Sequence, residues 1–205
     1  MSVETKLPPF RNANYLERKL HVERRDDGSI VMRNLNPLLP VPENIIAPLR
    51  KWAAEAPDRT WLAMRGPSKD GKLGEWNRLT YAEANARINA IAEGLLARGL
   101  NQQTPLMILS GNSIEHALMT YGAILAGVPA VPVSPAYSTM STDFDKLKHV
   151  FGLIEPKMIF MQTVAPFERG LAALNLDGVE LVTADGSRGT AYADLVATTP
   201  TEAVE

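Results

Sequence analysis

"PLMILSGNSIEHALMTYGAILAGVPAVPVS", residues 105–134, carries the pattern that decides the fold. Its first run, Leu106 to Leu109, is continuously apolar and too short for a stable helix, so it reads as a strand buried on both faces. Asn112 or Ser113 then supplies an N-cap, because a short side-chain oxygen satisfies an amide that the first helical turn leaves unpaired. The spacing predicts a helix through Ala126, stopped by Gly127. "AVPVS" reads as the next buried strand. Strand, helix and strand of these lengths predict a crossover between two parallel strands. Residues 117–133 carry no charge, but the stretch is short for a membrane span. Gly122, Gly127, Pro129 and Pro132 divide it into helix, turn and strand.

The alternation continues on both sides. Upstream, Thr80-Tyr81-Ala82-Glu83 fits a capping box, after which Ala84, Ile88, Ile91 and Leu95 fall on one helical face up to Gly99. Glu83 and Arg87 are spaced as an outward i,i+4 pair. A further helix is expected from about Glu43, with Ile45, Leu49, Trp52 and Ala56 inward and Pro48 in its first turn. "TWLAMR" and "EWNRLTY" read as strands. Downstream, a helix from about Thr142 to Glu155 presents Phe144, Leu147, Phe151 and Ile154 on one side. The strand "KMIFMQ", the short helix "PFERGLAAL" and the strand "VELVTA" follow, with Thr190 expected to cap a terminal helix. The fold class is therefore α/β, a mostly parallel sheet with flanking helices, over residues 43–205. Residues 1–42 are rich in proline and charge. They read as an arm with one hairpin, "HVERR" and "IVMRN" around Asp26-Asp27-Gly28-Ser29, where Gly28 supplies the positive φ of a tight turn.

Composition removes several function classes. The 205 residues hold 21 basic and 23 acidic side chains, a net charge of -2, without the basic excess of a nucleic-acid binder. No cysteine is present, which excludes disulfides, cysteine zinc sites and thiol catalysis. "MSVETKLPPF" lacks the apolar centre of a signal peptide, so the expected compartment is the cytoplasm.

The candidate chemistry is sparse. "RGPSKDGKLGEW", residues 65–76, begins like a P-loop with Gly66 and Gly71-Lys72. Leu73, however, replaces the hydroxyl residue that contacts magnesium, and a strand-like run follows where a helix must supply amides and dipole. The stretch reads as a hairpin connection, and a nucleotidase using Lys72 ranks last. "SGNSIEH" lacks the G-x-S-x-G of a nucleophile elbow, leaving Glu115 as a capping carboxylate and His116 as a half-buried polar residue. His21, His116 and His149 have no metal-ligand spacing. In an open parallel sheet, ligands lie beyond the carboxyl ends of the strands. "SPAYSTMS" falls at such an end, making Pro135, Tyr137 and Ser138 candidates for a cleft rim beside the simpler reading of an ordered turn. No catalytic, cofactor-binding or metal residue is assigned.

"LTYAEANARINAIAEGLLARGL", "PLMILSGNSIEHALMTYGAILAGVPAVPVSPAYS" and the earlier "LRKWAAEAPDRTWLA" together resemble the adenylate-forming superfamily of acyl-CoA synthetases, luciferases and adenylation domains. The likeness covers about residues 43–185. "RNLNPLLPVPENI" and "SPAYSTMSTDFDKLKHVFGLIEPKMIF" are most similar to the feruloyl-CoA synthetase branch. "GLNQQTPLMI" departs from the Gly-Asp pair common before this strand. The resemblance implies a carboxylic acid, ATP, magnesium and coenzyme A as reactants and cofactor of a parent enzyme. It also implies a Ser/Thr/Gly-rich phosphate loop that no segment of this chain matches. The expectation is an opening portion of the large domain that binds no ATP alone and self-associates through apolar surface near Trp52 and Trp61. The alternative is a stand-alone, non-catalytic α/β binding or interaction module.

Overall fold

The computed structural model describes residues 17, 19–68 and 70–204. The chain divides into two compact units, Met1–Val41 and Pro42–Glu205. The first holds the expected antiparallel hairpin, β1 (Leu20–Arg24) and β2 (Ile30–Asn34), with Val22 opposite Met32. Its connection is fixed by the Ser29 amide donating to Asp27 at 2.9 Å and by Gly28 at φ +84°.

The second unit opens with α1 (Ala47–Glu55), which places Pro48 in its first turn. Asn44 is the starting signal: its Oδ1 accepts from the amides of Ile46 and Ala47 at 3.0 and 2.9 Å. This shifts the helix phase from the sequence expectation, so Ile46 is buried with Leu49 while Ile45 is exposed. β3 (Thr60–Arg65) and β4 (Trp76–Thr80) form an antiparallel hairpin. The P-loop-like stretch is its connection, tied by Gly66 N–H donating to the Glu75 carbonyl at 2.9 Å and by Arg65 stacked over Trp76.

α2 (Tyr81–Ala97) begins with a complete capping box. Thr80 Oγ1 accepts from the Glu83 amide at 3.2 Å, and Glu83 Oε2 accepts from the Thr80 amide at 2.9 Å. Glu83 therefore folds back on Thr80, and no ion pair with Arg87 occurs among the described residues. The Thr80 amide, then its hydroxyl, hold the Glu83 carboxyl below its ordinary value. The carboxylate's help to folding is thus complete above the unfolded value and fades as pH falls through the lower folded one. Thr80→Ala is expected to move the Glu83 titration back toward the ordinary value in an NMR pH series and to lower stability by about 1 kcal/mol in urea.

The remaining strands build one parallel sheet: β5 (Leu106–Ile108), β6 (Ala130–Pro132), β7 (Met158–Met161), β8 (Glu180–Thr183) and β9 (Thr190–Ala191), in the order β6-β5-β7-β8-β9. α3 (Ile114–Leu125) joins β5 to β6, capped by Ser113 and closed at Gly127, whose φ of +68° suits the left-handed stop. α4 (Ala136–Thr139) and α5 (Asp145–Ile154) lead to β7, α6 (Glu168–Leu171) to β8, and α7 (Tyr192–Val196) follows β9. Thr190 thus lies in a strand, where its hydroxyl donates to Glu180 at 2.7 Å; Ala191 holds the N-cap position the sequence had given to Thr190. Among the described residues no helix is long and apolar enough to cross a membrane.

Two cores line the two faces of this sheet. Leu106, Ile108, Met158 and Phe160 pack with Leu49, Ile88, Ile91, Leu118 and Leu195 on one side. Met107, Leu109, Ile159 and Met161 pack with Leu147, Phe167 and Leu171 on the other. Alternate residues of one strand serve opposite cores, which is why these strands are apolar at every position.

Candidate functional site

Strand order fixes where a crevice opens. From β5 the chain moves outward to β6 through α3, packed on one face. From β7 it moves the opposite way to β8 through α6, on the other face. Right-handed crossovers demand this change of side whenever the direction of travel reverses. Beyond the carboxyl edge, the place where open α/β sheets receive ligands, the chain therefore leaves β5 and β7 toward helices on opposite faces.

Side chains stitch this edge together. Ser110, 3% exposed, ends the β5 run, and its Oγ accepts from the Gln162 amide after β7 at 3.2 Å. Asp185, after β8, accepts from the Ser187 amide at 3.0 Å. The Ser187 hydroxyl, then the Thr163 hydroxyl, hold its carboxyl below the ordinary value. The Asp185 amide donates to the Gln162 carbonyl at 3.2 Å, which joins the loops after β7 and β8. His116 contacts the Gly111 carbonyl through Nδ1 at 3.0 Å. A carbonyl only accepts, so Nδ1 is the donor in this contact. His116 is half-buried, as the sequence suggested. Glu115 differs from expectation: Ser113 makes the cap, while Glu115 Oε2 is buried without a partner.

Tyr192, at the start of α7, lies beside that carboxylate, with its ring 6.0 Å from Phe160 and its hydroxyl buried and unpartnered. Burial raises its phenol above the ordinary value, Glu115 adds to the rise, and Arg87 opposes it. A hydroxyl buried without a partner loses its hydration for nothing, so Tyr192→Phe is expected to raise stability by up to about 1 kcal/mol in urea. A loss instead would show that the phenol is partnered and overturn this reading.

The three candidate rim residues part ways. Pro135 is half-exposed at the start of α4. Tyr137 lines a hollow of about 460 Å³ shared with Met140, Asp143 and Lys146, and Lys146 Nζ lies 5.8 Å from its ring centre. Ser138 turns inward, 4% exposed, against the bare Cα of Gly170. A second hollow, about 200 Å³, lies between β3 and the start of α3, lined by Leu62, Met64, Asn112 and Ile114. Among the described residues no group of three or more His, Asp or Glu side chains gathers as metal ligands.

A parallel sheet with a switch point and loops locked to one another defines an open α/β fold. The chain belongs to the AMP-binding enzyme family, which it matches over residues 49–202. It is 30% identical over 146 residues to the olefin beta-lactone synthetase of Xanthomonas campestris pv. campestris, covering 70% of this chain and 25% of that one. It is 27% identical over 126 residues to bacitracin synthase 2 of Bacillus licheniformis, covering 62% of this chain and 4% of that one. A long-chain-fatty-acid-CoA ligase from Archaeoglobus fulgidus shares the fold, with a TM-score of 0.62 at 17% identity over 80% of this chain and 32% of that structure. The chain thus spans a quarter or less of the length of these two curated relatives.

Proposed function

We propose that this chain is the opening α/β portion of an ATP-dependent, AMP-forming carboxylate–CoA ligase acting on an aryl (hydroxycinnamoyl) or other acyl acid. The family match over residues 49–202 carries the reading, together with the small share of each relative that the chain spans. The aryl-acid part rests on the likeness of "RNLNPLLPVPENI" and the "SPAYSTMSTDFDKLKHV" run to the feruloyl-CoA synthetase branch. In such a reaction a carboxylate oxygen attacks the α-phosphorus of ATP and pyrophosphate leaves. The thiol of coenzyme A then attacks the acyl carbon and AMP leaves.

Within that scheme these residues supply the sheet and its locked edge, not the reacting groups. A triphosphate needs convergent donors and a metal, because uncompensated charge in a cleft is costly. The polar groups of the edge instead serve one another, as Ser110 does Gln162 and Asp185 does Ser187. Calorimetry on this chain is therefore expected to show no magnesium-dependent ATP binding. The deciding assay is ATP–pyrophosphate exchange with the protein encoded by the whole reading frame. Exchange that depends on ferulate, and is weak with fatty acids or amino acids, supports the aryl-acid reading. Exchange driven by another acyl acid overturns the aryl-acid part, and no exchange with any acid favours a non-catalytic binding module.

A further inference from the structure

An aspartate followed by glycine can react with its own backbone, because glycine places no Cβ beside the attacking nitrogen. Four such pairs occur: Asp27-Gly28, Asp70-Gly71, Asp177-Gly178 and Asp185-Gly186. Asp70 adjoins residue 69, which lies outside the described residues; the other three pairs differ in what holds them.

In two of these turns both reacting groups are occupied. The Gly28 amide donates to the Arg25 carbonyl at 3.0 Å, and Asp27 Oδ1 accepts from the Ser29 amide at 2.9 Å. The Gly186 amide donates to the Thr183 carbonyl at 3.4 Å, and Asp185 Oδ1 accepts from the Ser187 amide at 3.0 Å. The Ser29 and Ser187 hydroxyls also hold these two carboxyls below their ordinary value, which depletes the protonated form that can lose water.

Asp177-Gly178 is built differently. Residues 176–179 form a turn closed by the Val179 amide on the Leu176 carbonyl at 3.0 Å, with Gly178 third in it at φ +71°. Such a closure uses the amide of the fourth residue and leaves that of the third idle. Among the described residues no acceptor takes the Gly178 amide and no donor reaches the Asp177 carboxylate, and both residues are exposed. Asn175 Oδ1 holds only the Asp177 amide, at 3.1 Å.

We propose that Asp177-Gly178 is a site of spontaneous isomerisation to isoaspartate, and that the fold protects Asp27 and Asp185 from the same reaction. The Gly178 nitrogen attacks Asp177 Cγ, its proton passes to solvent, and one carboxyl oxygen leaves as water to give a cyclic imide. Water then attacks either imide carbonyl. Breaking the new bond restores aspartate; breaking the original peptide bond leaves the chain running through Cγ, which is isoaspartate. One water leaves and one enters. The added methylene falls in the lead into β8, just before Glu180, whose amide donates to the Lys157 carbonyl at 2.9 Å and whose carboxylate accepts from Thr190 at 2.7 Å. This inference does not depend on the proposed ligase chemistry.

The folded chain, aged at neutral pH and in parallel in urea, tests it. Isoaspartate is measured by methyl transfer from S-adenosylmethionine with an isoaspartyl carboxyl methyltransferase, and electron-transfer fragmentation of the peptides assigns its position. Two hydrogen bonds must open before Asp27 or Asp185 can react, so position 177 is expected to lead both by about tenfold or more in the folded chain. In urea the three rates should converge. Asp177→Glu keeps the charge at an exposed position but would need a larger ring, so label in this turn should vanish while circular dichroism stays unchanged. A folded chain in which position 177 reacts no faster than 27 and 185 overturns the proposal. So does a lead that persists in urea, which would belong to the local sequence and not to the fold, or label in the 176–179 turn that survives Asp177→Glu.

Discussion

Phe160→Ala is expected to lower the free energy of unfolding by about 3–5 kcal/mol, the range for emptying a buried aromatic site. Phe160 is fully buried on β7, the central strand of the order β6-β5-β7-β8-β9. Its ring packs in the core that also holds Ile108, Leu118 and Val182, and contacts Tyr192 on α7. Strands on both sides fix the backbone here, with the Leu109 amide donating to the Phe160 carbonyl at 2.9 Å, so the cavity has little freedom to collapse. Domains have only about 5–15 kcal/mol in total, so this one change removes about a fifth of the margin or more. Leu153→Ala is the control. Leu153 is also apolar but 74% exposed on α5, and its loss should stay within about 0.5 kcal/mol. Urea titrations of the two variants separate the cases, and equal losses would contradict the assigned core.

The elements legible in the sequence are those whose signal is local. The Thr80–Glu83 box names its own partners three residues apart, and both of its hydrogen bonds form. The run from Leu106 to Leu109 is apolar at each position because both faces are covered, and that too can be read without coordinates. Adjacent isoleucines are harder: periodicity alone does not choose between Ile45 and Ile46, and the Asn44 cap sets the phase. The start of α5 is obscured for another reason. Phe144 fits the helical spacing, but its backbone sits at φ +59° because Ser141 accepts from its amide and turns the chain there. Of the candidate site, Tyr137 was legible as a residue at a strand's carboxyl end. The Ser110–Gln162 bond was not, since it joins residues 52 apart and exists only through the register of β5 on β7. Residues that serve an edge through pairing leave no pattern in the sequence until the pairing is known.

A close contact between α2 and α3 gives the second large effect. On α3, a Cβ at Gly122 would stand 2.5 Å from Ile91 Cγ2 and 2.8 Å from Ile91 Cβ on α2. Ile91 is β-branched, fully buried and strongly restricted in χ1, so it has no room to yield. Gly122→Ala gains about 1 kcal/mol of helix propensity, but overpacking at a rigid contact costs up to about 3 kcal/mol. The expected net is a loss of about 2 kcal/mol, opposite in sign to what helix propensity predicts for an exposed glycine. Ile91→Ala alone empties the other side of the contact and should cost about 2–5 kcal/mol. Together the two changes relieve each other, because the new methyl group occupies space that the shortened Ile91 vacates. The double variant should therefore be more stable than the sum of the single losses by at least about 1 kcal/mol. Chemical denaturation of all four proteins measures that coupling. Single losses that simply add, within about 0.5 kcal/mol, would mean α2 and α3 do not meet at this point, and the packing that carries the carboxyl edge would have to be redrawn.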